Sequence, residues 1–161
     1  MNNIQISNIL RIQEASKQDK LVIFVGAGVS TNSGVPMWSK LIESLKDDLP
    51  ESLKRETDDL KIAQLYKDSR GYKEYIEKIK ETLMYGRISP NAIHYAILDL
   101  NPCHIITTNY DDLIEQAVTQ KYQQYYVVKK DSDLPYLQYQ NTIIKMHGDY
   151  ETDNIVLTEN D

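Results

Sequence analysis

Cysteine is almost absent: Cys103 stands alone, which excludes an internal disulfide framework and a zinc site built from several cysteines. Long apolar runs are also missing, and none approaches the roughly 20 residues that a membrane span needs. The N-terminus, MNNIQISNILRIQ, has no basic segment ahead of an apolar one, so it does not read as a secretory signal, and a cytoplasmic location is expected. Positive charge is in deficit. Eighteen Lys and Arg against twenty-four Asp and Glu leave a net charge of −6, which repels nucleic acid unless a local basic patch exists. The most basic-looking run, KDSRGYKEYIEKIK, alternates its lysines with glutamates as a solvated helix face does. Repeats and low-complexity tracts are missing too. What is present is an ordinary globular composition, 41% hydrophobic and 26% charged over 161 residues. That length suits one domain burying roughly 68 to 70% of its unfolded surface.

The stretch from Leu21 to Trp38 organises the chain. Leu21-Val22-Ile23-Phe24-Val25 is mostly β-branched or aromatic and too short for a helix, so it reads as a buried parallel strand. Gly26, Ala27 and Gly28 follow. Small residues there let the backbone turn sharply and approach a ligand. A helix starting at that point would face its free N–H groups and positive dipole end toward an anion such as a pyrophosphate. Glycine-rich turns also occur in proteins that bind nothing, and the third glycine of the GxGxxG fingerprint is missing. The turn alone leaves both readings open.

Elsewhere the periodicity is mostly helical. Ile6, Ile9 and Leu10 predict a lead-in helix over residues 4–18, packed on the sheet. Trp38, Leu41, Ile42, Leu45 and Leu49 mark an amphipathic helix ending near Pro50. Residues 51–88 read as helical throughout, punctuated by Gly71 and Gly86. This insertion is either a lid over a cleft or, as the plainer reading, an ordinary helical layer. Ser89-Pro90 predicts an N-cap with proline at the first helical position, ahead of a helix that Asn101-Pro102 stops. CHIIT (103–107) and TIIKM (142–146) read as further buried strands, with a short one at Tyr125–Val128 and a helix carrying Leu113, Ile114, Ala117 and Val118. The tyrosines between 122 and 139 lack basic neighbours and read as packing or interface surface.

The alternation predicts an α/β fold, a Rossmann-like parallel sheet with helices on both faces and a helical insertion at about 51–88. Ligands of such sheets bind at the carboxyl ends of the strands. Three strand ends carry the three unusual sequences, Gly26 to Ser30, Thr108 to Asp111 and His147 to Asp149. Their convergence is the main functional signal that the residues give by themselves.

Together these segments resemble the sirtuin superfamily, and more closely its sirtuin-like branch from bacterial anti-phage defence. GAGVSTNSGVP (26–36) is similar to the sirtuin GAGxS…GIP loop. SPNAIHYAILDL leading into ITTNYDDL (89–113) is similar to the Pro-Asn-x-x-His helix and the TQNxD segment, and KMHGD (145–149) resembles the strand bearing the catalytic histidine. Departures narrow the match. Met37-Trp38-Ser39 replace the Asp-Phe-Arg of the protein deacetylases, Thr108 replaces a glutamine, and the four-cysteine zinc module has no counterpart, so no zinc is expected. Family members continue with strands that hold the adenosine half of a dinucleotide. The resemblance therefore implies that residues 1–161, one NAD-binding domain, are truncated at the C-terminus.

The resemblance implies NAD as substrate, cleaved between nicotinamide and ribose through an oxocarbenium-like state to nicotinamide and ADP-ribose, in an anti-phage effector. His147 is then the candidate general base, acting on a ribose hydroxyl or through it on water, because imidazole titrates near neutral pH. Its structural alternative is a half-buried histidine bonded to a carbonyl. Asn109 donates and accepts without charge and would hold the ribose or orient the water; otherwise it is a helix cap or Asx-turn. Asp111 either bonds the nicotinamide amide and offsets the cation or caps the helix beginning near Asp112. Gly26, Ala27 and Gly28 would approach the phosphates, Ser30 or Thr31 would add a hydroxyl, Pro36 belongs to the same loop, and Thr108 would line the nicotinamide side. Trp38 reads as core rather than as a stacking ring, His94 as structural, and His104 carries no signal. Two other functions stay open: a module binding NAD or ADP-ribose without turnover, and a sirtuin-type acyl-lysine deacylase or ADP-ribosyltransferase. Restraint by a homo-oligomer or a C-terminal sensor is implied, with no role for nucleic acid or membrane.

Overall fold

The computed structural model describes residues 1–136, 141–151 and 154–158; Tyr139, among the tyrosines read as packing surface, lies outside them. Four short strands, β1 (Val22–Val25), β2 (His104–Thr107), β3 (Tyr126–Val128) and β4 (Thr142–Lys145), form a sheet in the order β1-β2-β4-β3. All neighbouring pairs are parallel. The chain has the expected α/β, Rossmann-like architecture, a parallel sheet flanked by helices. Register places Val25, Thr107 and Lys145 side by side. The loops leaving β1, β2 and β4 therefore start from one edge, although their residues are far apart along the chain.

Coverage of the two sheet faces is unequal. Side chains alternate between faces along a strand. Ile23, Val25, Ile105, Val127 and Ile143 meet α5 (Ala92–Asp99) and α6 (Leu113–Gln120) through Ile97, Leu98, Ile114, Ala117 and Val118. On the other face Val22 and Phe24 are 49% and 63% exposed. The strand expected to be buried is thus half-exposed, because β1 lies at the sheet edge. An apolar run reveals that burial is available, not which face receives it. A similar correction applies to α1 (Asn3–Lys17). Asn2 and Gln5 close a capping box at its start, yet none of its residues is buried. Ile6, Ile9 and Leu10 do not pack on the sheet, and the helix is tied near its end by Ser16 Oγ donating to Leu100 O at 2.7 Å.

A second core belongs to the middle helices, α2 (Trp38–Asp47), α3 (Asp59–Arg70) and α4 (Tyr72–Thr82). Leu41, Ile42 and Leu45 of α2 pack with Ile62, Ala63 and Tyr66 of α3 and with Tyr75, Ile76 and Ile79 of α4. The same cluster takes in Tyr110 and Tyr150 from the strand-end loops and Leu113 at the start of α6, so this layer stands over the carboxyl edge of the sheet. Residues 51–55 form turns instead of helix. The helix restarts where Asp58 caps it, accepting from the Lys61 N–H at 3.1 Å. At α5 the cap is Asn91 with His94 completing a capping box, so Pro90 stands outside the helix rather than at its first position. Among the described residues no helix is long and apolar enough to cross a membrane.

Burial sets the first expectation. Leu45→Ala, at 0% exposure, should cost about 2–5 kcal/mol in urea denaturation, whereas Ile9→Ala on α1 should change stability by less than about 0.5 kcal/mol.

Candidate functional site

Between the carboxyl edge of the sheet and the α2–α4 layer lies a hollow of about 490 Å³, within the range of small-molecule sites. It receives Ala27 from the β1 exit, Thr108, Asn109, Tyr110 and Asp111 from the β2 exit, and His147 and Tyr150 from the β4 exit. Pro36, Trp38, Leu41, Leu60 and Leu83 close it on the helical side. Of the residues singled out by sequence, Ala27, Pro36, Thr108, Asn109, Asp111 and His147 line this one hollow. Gly26, Gly28, Ser30 and Thr31 do not line it.

Those four build the loop instead. After β1 the chain makes two 3-10 turns, Ala27–Val29 and Thr31–Ser33, the second ended by Gly34 in the left-handed region at φ 92°. No α-helix begins at the glycines. Serine, threonine, asparagine and glycine here favour turns over helix, so the dipole of a long helix is not aimed from this point. The N–H groups of Val29 and Ser30 close the first turn onto Gly26 O and Ala27 O. Thr31 Oγ1 donates to Gly28 O at 2.8 Å. Asn91 Nδ2 clamps the loop from α5, donating to Val29 O at 2.8 Å and Ser33 Oγ at 2.9 Å.

Ser30 is fully buried and joins two of the candidate residues. Its Oγ accepts from Asn109 Nδ2 at 3.0 Å and hydrogen-bonds Asp111. The Asn109 N–H donates to Thr107 Oγ1 at 3.0 Å. With both held, the Asn109 carboxamide has one orientation, and its buried Oδ1 has no hydrogen-bond partner among the described residues. Asp111 Oδ1 accepts from the Leu113 N–H at 3.2 Å, a turn contact two residues on, since the cap position of α6 is Asp112, while the same side chain lines the hollow. Burial pushes its carboxyl pKa up against the opposing hydrogen bonds from Ser30 and Leu113. His147 is half-buried, its ring centroid 6.3 Å from that of Tyr110. Trp38 differs from expectation: at 36% exposure it is not core, and its Nε1 donates to Asp59 Oδ2 at 3.0 Å while the ring borders the hollow. His94 is structural as read, its Nδ1 accepting from the Asn91 N–H, and burial pushes its pKa down. Among the described residues no group of three His, Cys, Asp or Glu could hold a metal ion.

Residues 103–161 match the family model of the SIR2-like domain. Defense-associated sirtuin 2 of Bacillus subtilis is 34% identical over 169 residues, which take in 100% of this chain and 17% of that protein. The chain is similar to SIR2-like proteins, by the family model over residues 103–161 and by this relative over its whole length. The NAD(+) hydrolase ThsA of Enterococcus faecium is 31% identical over 159 residues, 95% of this chain and 33% of that protein. ThsA of Cytobacillus dafuensis is 31% identical over 140 residues, 86% of this chain and 28% of that protein. The chain spans a third or less of the length of these relatives.

One element of this site was not found from sequence. Lys145, the last residue of β4, is 0% exposed at its side chain and pairs with Asp149 Oδ2 at 2.6 Å and Glu115 Oε1 at 3.0 Å. Its ammonium also donates to Asp111 O at 2.7 Å and Tyr110 O at 3.2 Å. Burial opposes its charge, but Glu115 and Asp149 together hold its pKa above the ordinary value. For Asp149 burial pulls upward, and Lys145 outweighs it, keeping the carboxyl below its usual 3.8. Lys145 and Asp149 bracket the turn that carries His147. Within that turn Gly148 has φ +82°, and a Cβ there would meet Asn154 O at 1.9 Å, so glycine is required on both counts. A signal existed in the sequence: a lysine in the otherwise apolar strand TIIKM needs a partner if it faces inward.

Lys145→Met takes the cation from Glu115 and leaves Asp149 with Lys129 alone, at 3.3 Å, and should cost about 3–5 kcal/mol in chemical denaturation. For Asp149, a depressed pKa means stability that is present above 3.8 and lost as pH falls through the folded-state value. Asp149→Asn should therefore be less stable than wild type at neutral pH and lose less stability on acidification, measured by melting temperature from about pH 6 downward.

Proposed function

We propose that this chain is the catalytic domain of an NAD hydrolase, and that the whole protein acts in the cytoplasm as an effector of anti-phage defence. Residues 1–161 form one NAD-binding unit in this reading, with the helices between about 51 and 88 as its insertion. The carrying observation is that Asn109 and His147, from two different strand exits, border one hollow of nucleotide-compatible size. The names of the ThsA relatives point to the same reaction.

In the reaction, the bond between ribose C1′ and the nicotinamide ring nitrogen breaks and its electron pair leaves with neutral nicotinamide, so no general acid is needed. Positive charge develops on the ribose ring as in glycoside cleavage. Asn109 Oδ1, an oriented acceptor with no partner of its own, receives a hydrogen bond from a ribose hydroxyl. The Asp111 carboxylate faces the developing cation, and cation and anion stabilise one another more in a water-poor hollow than in bulk solvent. Water adds to C1′, His147 takes up its proton directly or through the ribose hydroxyl, and ADP-ribose is formed. Ala27 and its loop approach the phosphates, and Thr108 and Pro36 border the nicotinamide side. Restraint of the enzyme falls to an oligomer or to parts of the protein outside this chain.

Incubating the full-length protein with NAD alone tests the reading. Nicotinamide and ADP-ribose should appear on chromatography without any acylated peptide. Asn109→Ala and His147→Ala should each lower that rate by about 100-fold or more with the melting temperature little changed. Saturable NAD binding with no product would make the chain a binding module, and release that requires an acylated peptide would make it a transferase.

A further inference from the structure

Tyr150 follows the turn that carries His147, is 1% exposed and lines the hollow. Its ring sits edge-on to Tyr85 at 5.1 Å between centroids and lies 6.2 Å from Tyr110, so packing on two sides fixes the phenol. The hydroxyl, by contrast, is buried and has no hydrogen-bond partner among the described residues. A buried hydroxyl left unpaired carries a free-energy cost that phenylalanine in the same space would avoid. A second unpartnered atom, Asn109 Oδ1, belongs to the same hollow. The first can donate a hydrogen bond and the second can accept one, which together complement a ligand rich in hydroxyl groups.

We propose that Tyr150 is a substrate-contacting residue whose hydroxyl donates to an oxygen of the ribose diol, while Asn109 Oδ1 accepts from that diol. The inference rests on the NAD hydrolase reading and adds to it a contact for the sugar. Burial, and after it the charge of Asp111, push the Tyr150 pKa above its ordinary value. The phenol therefore stays protonated and remains a donor throughout the working pH range. Since it stays protonated, Tyr150 contributes no titration of its own to the rate profile.

Tyr150→Phe in the full-length protein is the test, because it removes the hydroxyl and keeps the ring. The kcat/KM for nicotinamide release should fall about tenfold or more, and the rise in melting temperature caused by ADP-ribose should shrink. The ligand-free melting temperature should stay equal or rise, since an unpaired buried group has been removed. A rate within about twofold of wild type with the ADP-ribose shift intact would overturn the assignment, and so would a fall in ligand-free melting temperature of several degrees, which would mark the hydroxyl as structural. If wild type releases no nicotinamide but Tyr150→Phe still weakens the ADP-ribose shift, the hydrolase reading fails and the sugar contact stands. If wild type shows neither release nor shift, both fail.

Discussion

A single buried ammonium holds the working edge of this molecule together. Lys145 ends β4, reaches the carbonyls of Tyr110 and Asp111 in the β2 exit, pairs with Glu115 of α6, and pairs with Asp149 beyond His147. Asp149 is a near neighbour along the chain, whereas Tyr110, Asp111 and Glu115 lie on a distant stretch with no local reason to meet Lys145. A desolvated cation without partners would be far more costly than any packing defect, so the arrangement is close to all-or-none. Either the two loops stand where they do, or a charge is stranded. That is how the turn containing Gly148 can hold an imidazole at a set place on the hollow that Asn109 also lines.

The two hydrophobic cores have separate tasks. One, between the sheet and α5 with α6, fixes the strands in register and so fixes where their exits begin. The other, within α2–α4, reaches down onto Tyr110 and Tyr150 of those exits and onto Leu113 of α6. The hollow is the space left where the second core meets the first. The helices of the 51–88 stretch are a packed layer with its own interior, and Leu60 and Leu83 of that stretch border the hollow.

Much of this was legible beforehand. Short β-branched runs alternating with amphipathic stretches required a parallel sheet, and a parallel sheet brings its strand exits to one edge. The segments around Asn109 and His147 could then be seen as neighbours without coordinates. What could not be read depended on which surfaces meet. The run Val22 to Val25 is equally apolar on both faces, and only the sheet order puts β1 at an edge with Phe24 exposed. The stripe on α1 is helical in period but has nothing against it among the described residues. Tyr150 carried no motif, and its interest comes entirely from a hydroxyl that three-dimensional packing leaves without a partner.

The glycine loop shows how a motif can keep its position and take on a second task. Glycines after a first strand suggest a phosphate cradle, which requires backbone N–H groups aimed outward. Here the Val29 and Ser30 N–H groups are already used in closing a 3-10 turn, and Ser30, which the motif would offer to a phosphate, is fully buried. Its hydroxyl instead sits between Asn109 Nδ2 and Asp111. A carboxamide is useful to chemistry only if its oxygen and nitrogen are not free to exchange places, and Ser30 fixes that choice by engaging the nitrogen. A Cβ at Gly26 or Gly28 would meet nothing within 4 Å, so the turn does not depend on their smallness, and the loop acts on the hollow through Ser30 and the orientation of Asn109.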